Sequence, residues 1–222
     1  MNQPYKPGAV NIVSMTNPQI FYIDDFLPEE AFEVLEKNLG IHDDKFEKAG
    51  VVDSETGGST TSYLRSNKTA SLSYEDLGSA SVFRDLAAGV LRLHYTQAEH
   101  LSVIKYDLGE EYAPHHDCFT EKTLSANNPN AGQRIFTALL YCTDVKEGGQ
   151  TIFPKLDIEV EAKRNRCVFF SLTHTGTGIQ LDDALHGSKP VIRGNKVAIN
   201  LWFRAHVYDT EEYQKTLDKE NV

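Results

Sequence analysis

The chain has 222 residues, of which 40% are hydrophobic and 24% are charged, and this is ordinary for a globular protein with one sizeable core. Its net charge of −10 argues against a nucleic-acid partner, because phosphate binding needs clustered lysine and arginine. A neutral or cationic peptide is an easier partner, and residues 1–222 are expected to form a single domain.

The amino-terminal segment lacks the features of a targeting sequence. Residues 1–18 are polar and interrupted by prolines, so we expect neither a signal peptide nor a membrane span. Of three cysteines, Cys142 and Cys167 lie in apolar runs, and an odd count favours free thiols in a reducing cytoplasm. Cys118, next to Asp117, has the alternative interpretation of an oxidation-sensitive group.

Two amphipathic helices are predicted within a support region over residues 1–100, which also contains the first strands. The first helix begins near Pro28, with Glu29 and Glu30 at the positive end of the helix dipole, and is expected to stop at Gly40. A second helix is predicted from about 79 to 93. Their apolar stripes consist of Phe32, Leu35 and Leu39, and of Val82, Phe83, Leu86, Val90 and Leu93.

Short strand-like runs separated by turns dominate the later sequence. They cover residues 101–106, 134–143, 166–172 and 197–207, with shorter runs around Thr151 and Val160. This pattern predicts a mainly β fold with supporting α-helices and a double-stranded β-helix (jelly-roll) core over residues 101–207, followed by a tail or helix at 208–222.

Two segments carry turn and linker residues without an apolar stripe, namely residues 53–62 and 118–133. Each could be a disordered surface loop or a lid that closes over a bound substrate.

The segment 112–117 (YAPHHD) sets an imidazole and a carboxylate two residues apart in a predicted strand. Because strand side chains alternate, His115 and Asp117 point the same way and His116 points to the other face. His186, sixty-nine residues after Asp117, supplies a third ligand. Two histidines and one carboxylate form the facial triad of non-haem Fe(II) oxygenases.

Lys196 lies ten residues after His186 and begins a predicted strand in which Lys196, Asn200 and Trp202 share a face. A lysine in a dry pocket is costly unless it meets an anion, and a dicarboxylate co-substrate bound to the iron would provide one. His174 is a rival third ligand. It has no lysine at this interval, which favours His186.

Four segments match a known pattern: residues 106–117 (YDLGEEYAPHHD), 134–141 (RIFTALLY), 147–154 (EGGQTIFP) and 186–202 (HGSKPVIRGNKVAINLW). Over roughly residues 101–204 the chain thereby resembles the prolyl 4-hydroxylase branch of the 2-oxoglutarate/Fe(II)-dependent oxygenases. Residues 64–67 (LRSN) also resemble the support region of that family. One departure is Val197, where many relatives have tryptophan.

The resemblance implies a role for each matching residue. His115, Asp117 and His186 would hold Fe(II), Lys196 would bind the distal carboxylate of 2-oxoglutarate, and Tyr106 and Thr137 would hold that co-substrate through their hydroxyls. Tyr112 and Trp202 match aromatic positions that receive the target proline. Thr137 could instead be an ordinary strand residue, and Trp202 a core residue.

On this resemblance the chain is a procollagen-proline 4-dioxygenase-like enzyme. It would use dioxygen and 2-oxoglutarate to hydroxylate a prolyl residue of a peptide or protein at C4, with release of succinate and carbon dioxide and with ascorbate as reductant. A hydroxylase of free proline or of another amino acid is the closest alternative. A binding module without turnover and a nucleic-acid demethylase are further alternatives, but the complete triad opposes the first and the acidic charge the second.

Overall fold

A computed structural model describes residues 5–52, 59–61 and 65–211. These residues form three α-helices, α1 (Glu29–Ile41), α2 (Ala80–Leu91) and α3 (Glu121–Ala126). They also form sixteen strands: β1 (Val10–Ser14), β2 (Ile20–Ile23), β3 (Glu47–Lys48), β4 (Gly50–Val52), β5 (Ser59–Thr61), β6 (Lys68–Leu72), β7 (Leu101–Tyr106), β8 (Tyr112–His115), β9 (Arg134–Tyr141), β10 (Glu147–Gly148), β11 (Thr151–Phe153), β12 (Ile158–Val160), β13 (Cys167–Ser171), β14 (His186–Ser188), β15 (Val191–Arg193) and β16 (Lys196–Arg204).

Most strands lie in two sheets. The larger sheet has eight strands in the order β1-β2-β13-β9-β16-β7-β6-β3, and the smaller has four in the order β12-β11-β14-β8. Two further pairs, β10-β15 and β4-β5, complete the described strands. All the pairings are antiparallel, and the predicted jelly-roll core is confirmed.

Two hydrophobic cores lie on opposite faces of the large sheet. On the outer face, Phe32 of α1 and Phe83 of α2 pack in one cluster with Phe169 of β13. On the inner face, Phe153 of the small sheet packs in a second cluster with Phe170 of the large one. The helices therefore support the large sheet from outside, and the inner core joins the two sheets.

The predicted elements agree with the structure, with small shifts at their ends. Helix α1 continues to Ile41, one residue past the predicted stop at Gly40, and α2 is slightly shorter than predicted. The strand predicted at 101–106 has those bounds. None of the helices in the described ranges is long and apolar enough to cross a membrane.

The predicted loop over residues 118–133 is more ordered than expected. It contains α3 and a 3₁₀ turn at Pro129–Ala131, and the Thr120 hydroxyl caps α3 by accepting from the Thr123 amide. The interpretation as an unstructured surface loop is therefore wrong. Residues 53–58 and 62 of the other predicted loop lie outside the described residues, as does most of the predicted tail (212–222).

Gly187 permits a close approach between β14 and β8. In this pairing His186 lies opposite His115, and Ser188 lies opposite Tyr112. A Cβ atom at Gly187 would lie 2.7 Å from the Tyr112 carbonyl oxygen and 3.0 Å from the Pro114 nitrogen. Both obstacles are backbone atoms, so a side chain here would force the strands apart.

We expect Gly187→Ala to lower the free energy of unfolding by about 1–3 kcal/mol, the usual cost of overpacking. The matched control is Gly89→Ala, on an exposed position of α2 where an added Cβ has nothing within 4 Å. It should stabilise the protein by about 0.5–1 kcal/mol. Urea unfolding measures both, and equal midpoints for Gly187→Ala and the unmodified protein would contradict the close approach.

Candidate metal centre and co-substrate pocket

Three predicted metal ligands converge at one end of the small sheet. His115 ends β8, His186 begins β14, and Asp117 follows two residues after β8. One potential ligand atom from each side chain lies within 4.8 Å of the others. Among the described residues this is the one group of three or more His, Cys, Asp or Glu side chains close enough to hold a metal ion.

Backbone carbonyls orient both imidazoles. Nδ1 of His115 donates to the Ala113 carbonyl at 3.0 Å, and Nδ1 of His186 donates to the Ala184 carbonyl at 3.0 Å. A proton on Nδ1 leaves the Nε2 lone pair free to bind a metal. The two Nε2 atoms lie 3.6 and 3.5 Å from carboxylate oxygens of Asp117, so all three ligands face a common point.

The electrostatics of the triad favour its metal-binding protonation state. Burial alone would raise the pKa of Asp117, which is 8% exposed, but His186 and His115 outweigh burial and hold this pKa well below its usual range. Burial lowers the pKa of His186 to about 4. An anionic carboxylate and a neutral imidazole result, and this donor set suits Fe(II).

Thr137 lies beside the triad, where it contacts the predicted carboxylate ligand. Its fully buried hydroxyl donates to Oδ2 of Asp117 at 2.7 Å. A hydrogen bond of this kind orients a metal-binding carboxylate. The predicted contact of Thr137 with 2-oxoglutarate stays a prediction, and the observed bond indicates a different task for this hydroxyl.

Lys196 opens β16 and points into the cavity that also contains the two histidines. It is 1% exposed, and its ammonium donates to the Ser188 hydroxyl at 2.8 Å, with Thr151 Oγ1 at 3.5 Å. No carboxylate among the described residues pairs with it, and burial alone lowers its pKa to about 7. A buried cation without a counter-ion is the feature expected of an anion-binding pocket.

Hydroxyl groups surround Lys196. Tyr106 lies opposite it in the β7–β16 pairing, and its ring centroid is 5.1 Å from the ammonium nitrogen. Tyr141 donates to Thr151 at 2.7 Å. Tyr106 lies close to Lys196, and its contact with 2-oxoglutarate stays a prediction. Thr151 and Ser188 were not predicted. Ser188 could have been found from its place two residues after His186 on the same strand face.

The two predicted substrate-binding aromatic residues lie on either side of the triad. The Tyr112 ring stacks on His115 with centroids 3.6 Å apart, and the Arg65 guanidinium lies 4.5 Å from its other face. Trp202 is half-buried opposite Thr137, with the Arg134 guanidinium 3.7 Å from its ring. Tyr112 lines the same cavity as Lys196, and Trp202 is adjacent to the Asp117 side of the site.

The alternative site residues do not join this group. His174 is exposed in a turn outside the triad, and His116 is half-buried with a pKa lowered mainly by burial. All three cysteines are free, as predicted. Burial, followed by the charge of Asp117, raises the pKa of Cys118 to about 12, which opposes a reactive thiolate there.

Comparison with known proteins identifies the family. Residues 101–204 match the family model described as the 2OG-Fe(II) oxygenase superfamily. The chain is 33% identical to probable prolyl 4-hydroxylase 10 of Arabidopsis thaliana, over 90% of this chain and 73% of that protein. It is 34% identical to the prolyl 4-hydroxylase subunit alpha-1 of Rattus norvegicus, over 83% of this chain and 34% of that subunit.

Solved structures confirm the fold. The 2-oxoglutarate complex of the viral collagen prolyl hydroxylase from Paramecium Bursaria Chlorella virus-1 is similar with a TM-score of 0.65 and 22% identity, over 84% of this chain and 96% of that one. A Trichoplax adhaerens prolyl hydroxylase, in complex with a peptide fragment of hypoxia inducible factor, gives a TM-score of 0.62 and 17% identity, over 87% of this chain and 84% of that one. By its sequence relatives, this chain belongs to the prolyl 4-hydroxylase family and is an Fe(II)- and 2-oxoglutarate-dependent dioxygenase that hydroxylates proline.

Proposed function

We propose that the chain hydroxylates a prolyl residue at C4 within a polypeptide. The observation that carries the proposal is the placement of Lys196, without a carboxylate partner, in the same cavity as His115 and His186. Bound Fe(II) and 2-oxoglutarate supply the oxidising chemistry with dioxygen. The side chains around them bind the co-substrate, orient the metal ligands and place one C–H bond of the substrate.

Lys196, Ser188 and Thr151 are proposed to bind the distal carboxylate of 2-oxoglutarate. The ammonium and two hydroxyls are close enough to share one small anion, with Lys196 already donating to Ser188. Tyr106 closes the same end of the cavity. Phe170, which packs on His186, contributes an apolar wall that keeps water from the metal ligands.

Tyr112 and Trp202 are proposed to hold the prolyl ring. The His115 ring and the Arg65 guanidinium both pack on the Tyr112 ring, so the position of Tyr112 costs little entropy when substrate binds. Trp202 lies outside the cavity that Tyr112 lines, and a substrate that contacts both rings would have to reach beyond the cavity, which favours a polypeptide over a free amino acid. Three free cysteines support a cytoplasmic setting, and the net charge of −10 supports a partner other than nucleic acid. Ascorbate as the reductant is proposed from the family resemblance alone.

Removal of a metal ligand should abolish both Fe(II) binding and turnover. We expect this for His115→Ala, Asp117→Ala and His186→Ala, measured by anaerobic titration calorimetry with Fe(II). His174→Ala is the matched control, since His174 lies exposed outside the triad. Retained iron in His186→Ala with loss in His174→Ala would overturn the ligand assignment.

Lys196→Ala should weaken 2-oxoglutarate binding by about 2–4 kcal/mol, or roughly 30- to 1,000-fold, because a charge-assisted contact in a dry pocket is lost. The KM for 2-oxoglutarate should rise far more than the KM for peptide. Lys189→Ala, which removes an exposed lysine paired with Glu159, should change neither constant. An unchanged KM for 2-oxoglutarate in Lys196→Ala would remove Lys196 from the site.

The binding of 2-oxoglutarate should also depend on pH through Lys196. Because burial lowers its pKa to about 7, the ammonium is present below that pH and is lost above it in the ligand-free protein. Affinity should therefore fall as the pH rises above about 7, by up to about tenfold per pH unit. The affinity for 2-oxoglutarate is measured over a range of pH with saturating Mn(II) in place of iron. Its dependence on pH should vanish in Lys196→Ala.

The prolyl side of the site is tested by mass spectrometry of proline-containing peptides and by succinate measured in the same reactions. The unmodified protein should add one oxygen to proline. Tyr112→Ala and Trp202→Ala should lower hydroxyproline while succinate still forms slowly, because the C–H bond is no longer placed. Tyr5→Ala, which removes an exposed ring elsewhere, is the control. Normal hydroxyproline yields and peptide affinities in both variants would mean that the two rings serve only as packing. If the unmodified protein oxidised free proline but no peptide, a hydroxylase of the free amino acid would be favoured instead.

A further inference from the structure

A buried carboxylate joins two arginines beside the metal centre. Glu99 is 8% exposed and accepts from Arg134 through both oxygens, at 2.8 Å from Nε and 2.7 Å from Nη2. Nη1 of Arg204 donates to the same carboxylate at 3.2 Å, and Arg204 is 1% exposed. One anion thus holds two cations, Arg204 buried and Arg134 half-buried, which would repel each other without it.

Arg134 connects this carboxylate to the substrate side of the site. Its guanidinium lies over two rings, with its central carbon 3.7 Å from the centroid of Trp202 and 4.5 Å from that of Phe119. Its Nη1 also approaches the Asp117 carbonyl oxygen at 3.4 Å. The bidentate pairing with Glu99 sets the plane of the guanidinium and hence the stack on Trp202.

Arg204 connects the same carboxylate to the segment that contains α3. Its Nη2 donates to the carbonyls of Asn127 and Asn128 at 2.9 and 3.0 Å, and its Nε donates to the Gly132 carbonyl at 2.8 Å. These carbonyls lie at the end of α3 and around the turn that follows it. Three bonds from one buried cation therefore attach the segment to β16.

We propose that Glu99 and Arg204 are positioning residues that hold the segment 118–133 and the Arg134–Trp202 stack in fixed relation to Asp117. The segment is then a fixed part of the substrate site, which opposes the remaining interpretation of residues 118–133 as a mobile lid. The catalytic consequence rests on the proposed function, because it assumes that Trp202 receives the prolyl ring. The structural consequence does not.

The chain contains a matched arginine–carboxylate pair away from this site. Asp24 accepts from Nε and Nη2 of Arg166 at 2.6 and 3.2 Å, and the Arg166 guanidinium lies 4.1 Å from the Tyr22 ring centroid. This pair has the same bidentate and stacked arrangement as Glu99 with Arg134. It contacts neither the segment 118–133 nor the cavity. Asp24→Asn therefore controls for the general effect of breaking such a pair.

Hydrogen–deuterium exchange of the full chain without substrates tests the structural consequence. Glu99→Gln and the milder Arg204→Lys should each speed exchange in residues 118–133, by at least about fivefold, because buried charge-assisted bonds are lost. Asp24→Asn should leave that segment unchanged. Unaltered exchange there in both site variants, or an equal increase in Asp24→Asn, would overturn the proposal.

Product analysis tests the catalytic consequence. In Glu99→Gln the ratio of succinate to hydroxyproline and the KM for peptide should rise at least about threefold, with Fe(II) binding and the KM for 2-oxoglutarate within about twofold of the unmodified protein. Asp24→Asn should keep the unmodified ratio. An unchanged ratio in Glu99→Gln would refute the positioning role. Absence of hydroxyproline from the unmodified protein would instead refute the proposed function, and the exchange result would stand independently.

Discussion

The pairing of β14 with β8 is the constraint on which the rest of the site depends. This register places His186 opposite His115, and the direction of each strand then decides where their neighbours lie. Ser188, two residues beyond His186 on β14, reaches Lys196, so one strand carries both a proposed metal ligand and a hydrogen-bond partner of the lysine proposed to bind 2-oxoglutarate. A slip of one residue would turn these side chains to the opposite face. Gly187 makes the pairing possible, because the backbone of β8 occupies the space that a side chain would need.

Features that depend on local spacing could be predicted from the sequence. A two-residue interval predicts that His115 and Asp117 face the same way, and they do converge although β8 ends at His115 and Asp117 lies beyond it. The same period groups Lys196 with Asn200 and Trp202. Helices α1 and α2 follow from apolar residues at helical spacing, because each must cover one face of a sheet. The third ligand needed additional information, since His186 and His174 have similar local surroundings. The interval to Lys196 and the family resemblance selected His186.

Features that depend on strand pairing could not be predicted in this way. Thr151 reaches Lys196 because β11 pairs with β14 and places Thr151 opposite Ser188, a relation that spans 37 positions of the chain. The contact of Thr137 with Asp117 likewise depends on how β9 lies beneath the end of β8. Helix α3 was missed because its six residues carry no apolar stripe, and distant contacts from Arg204 stabilise the segment in place of one. The link from Glu99 to Arg134 and Arg204 joins three parts of the sequence and has no local signal.

Two polar networks with opposite requirements meet at the metal centre. Around Lys196, neutral hydroxyls surround a cation that has no carboxylate partner, so the network is completed when an anion arrives. Around Glu99, by contrast, both arginines already bond to the carboxylate, so this network can hold its surroundings in place before any ligand binds. Asp117 lies between them, with its carboxylate held by Thr137 and its carbonyl close to Arg134. The pocket around Lys196 therefore changes its net charge when an anion binds, whereas the neighbouring network around Glu99 keeps the same charges. This division separates the proposed co-substrate pocket from the surface proposed to place a single C–H bond.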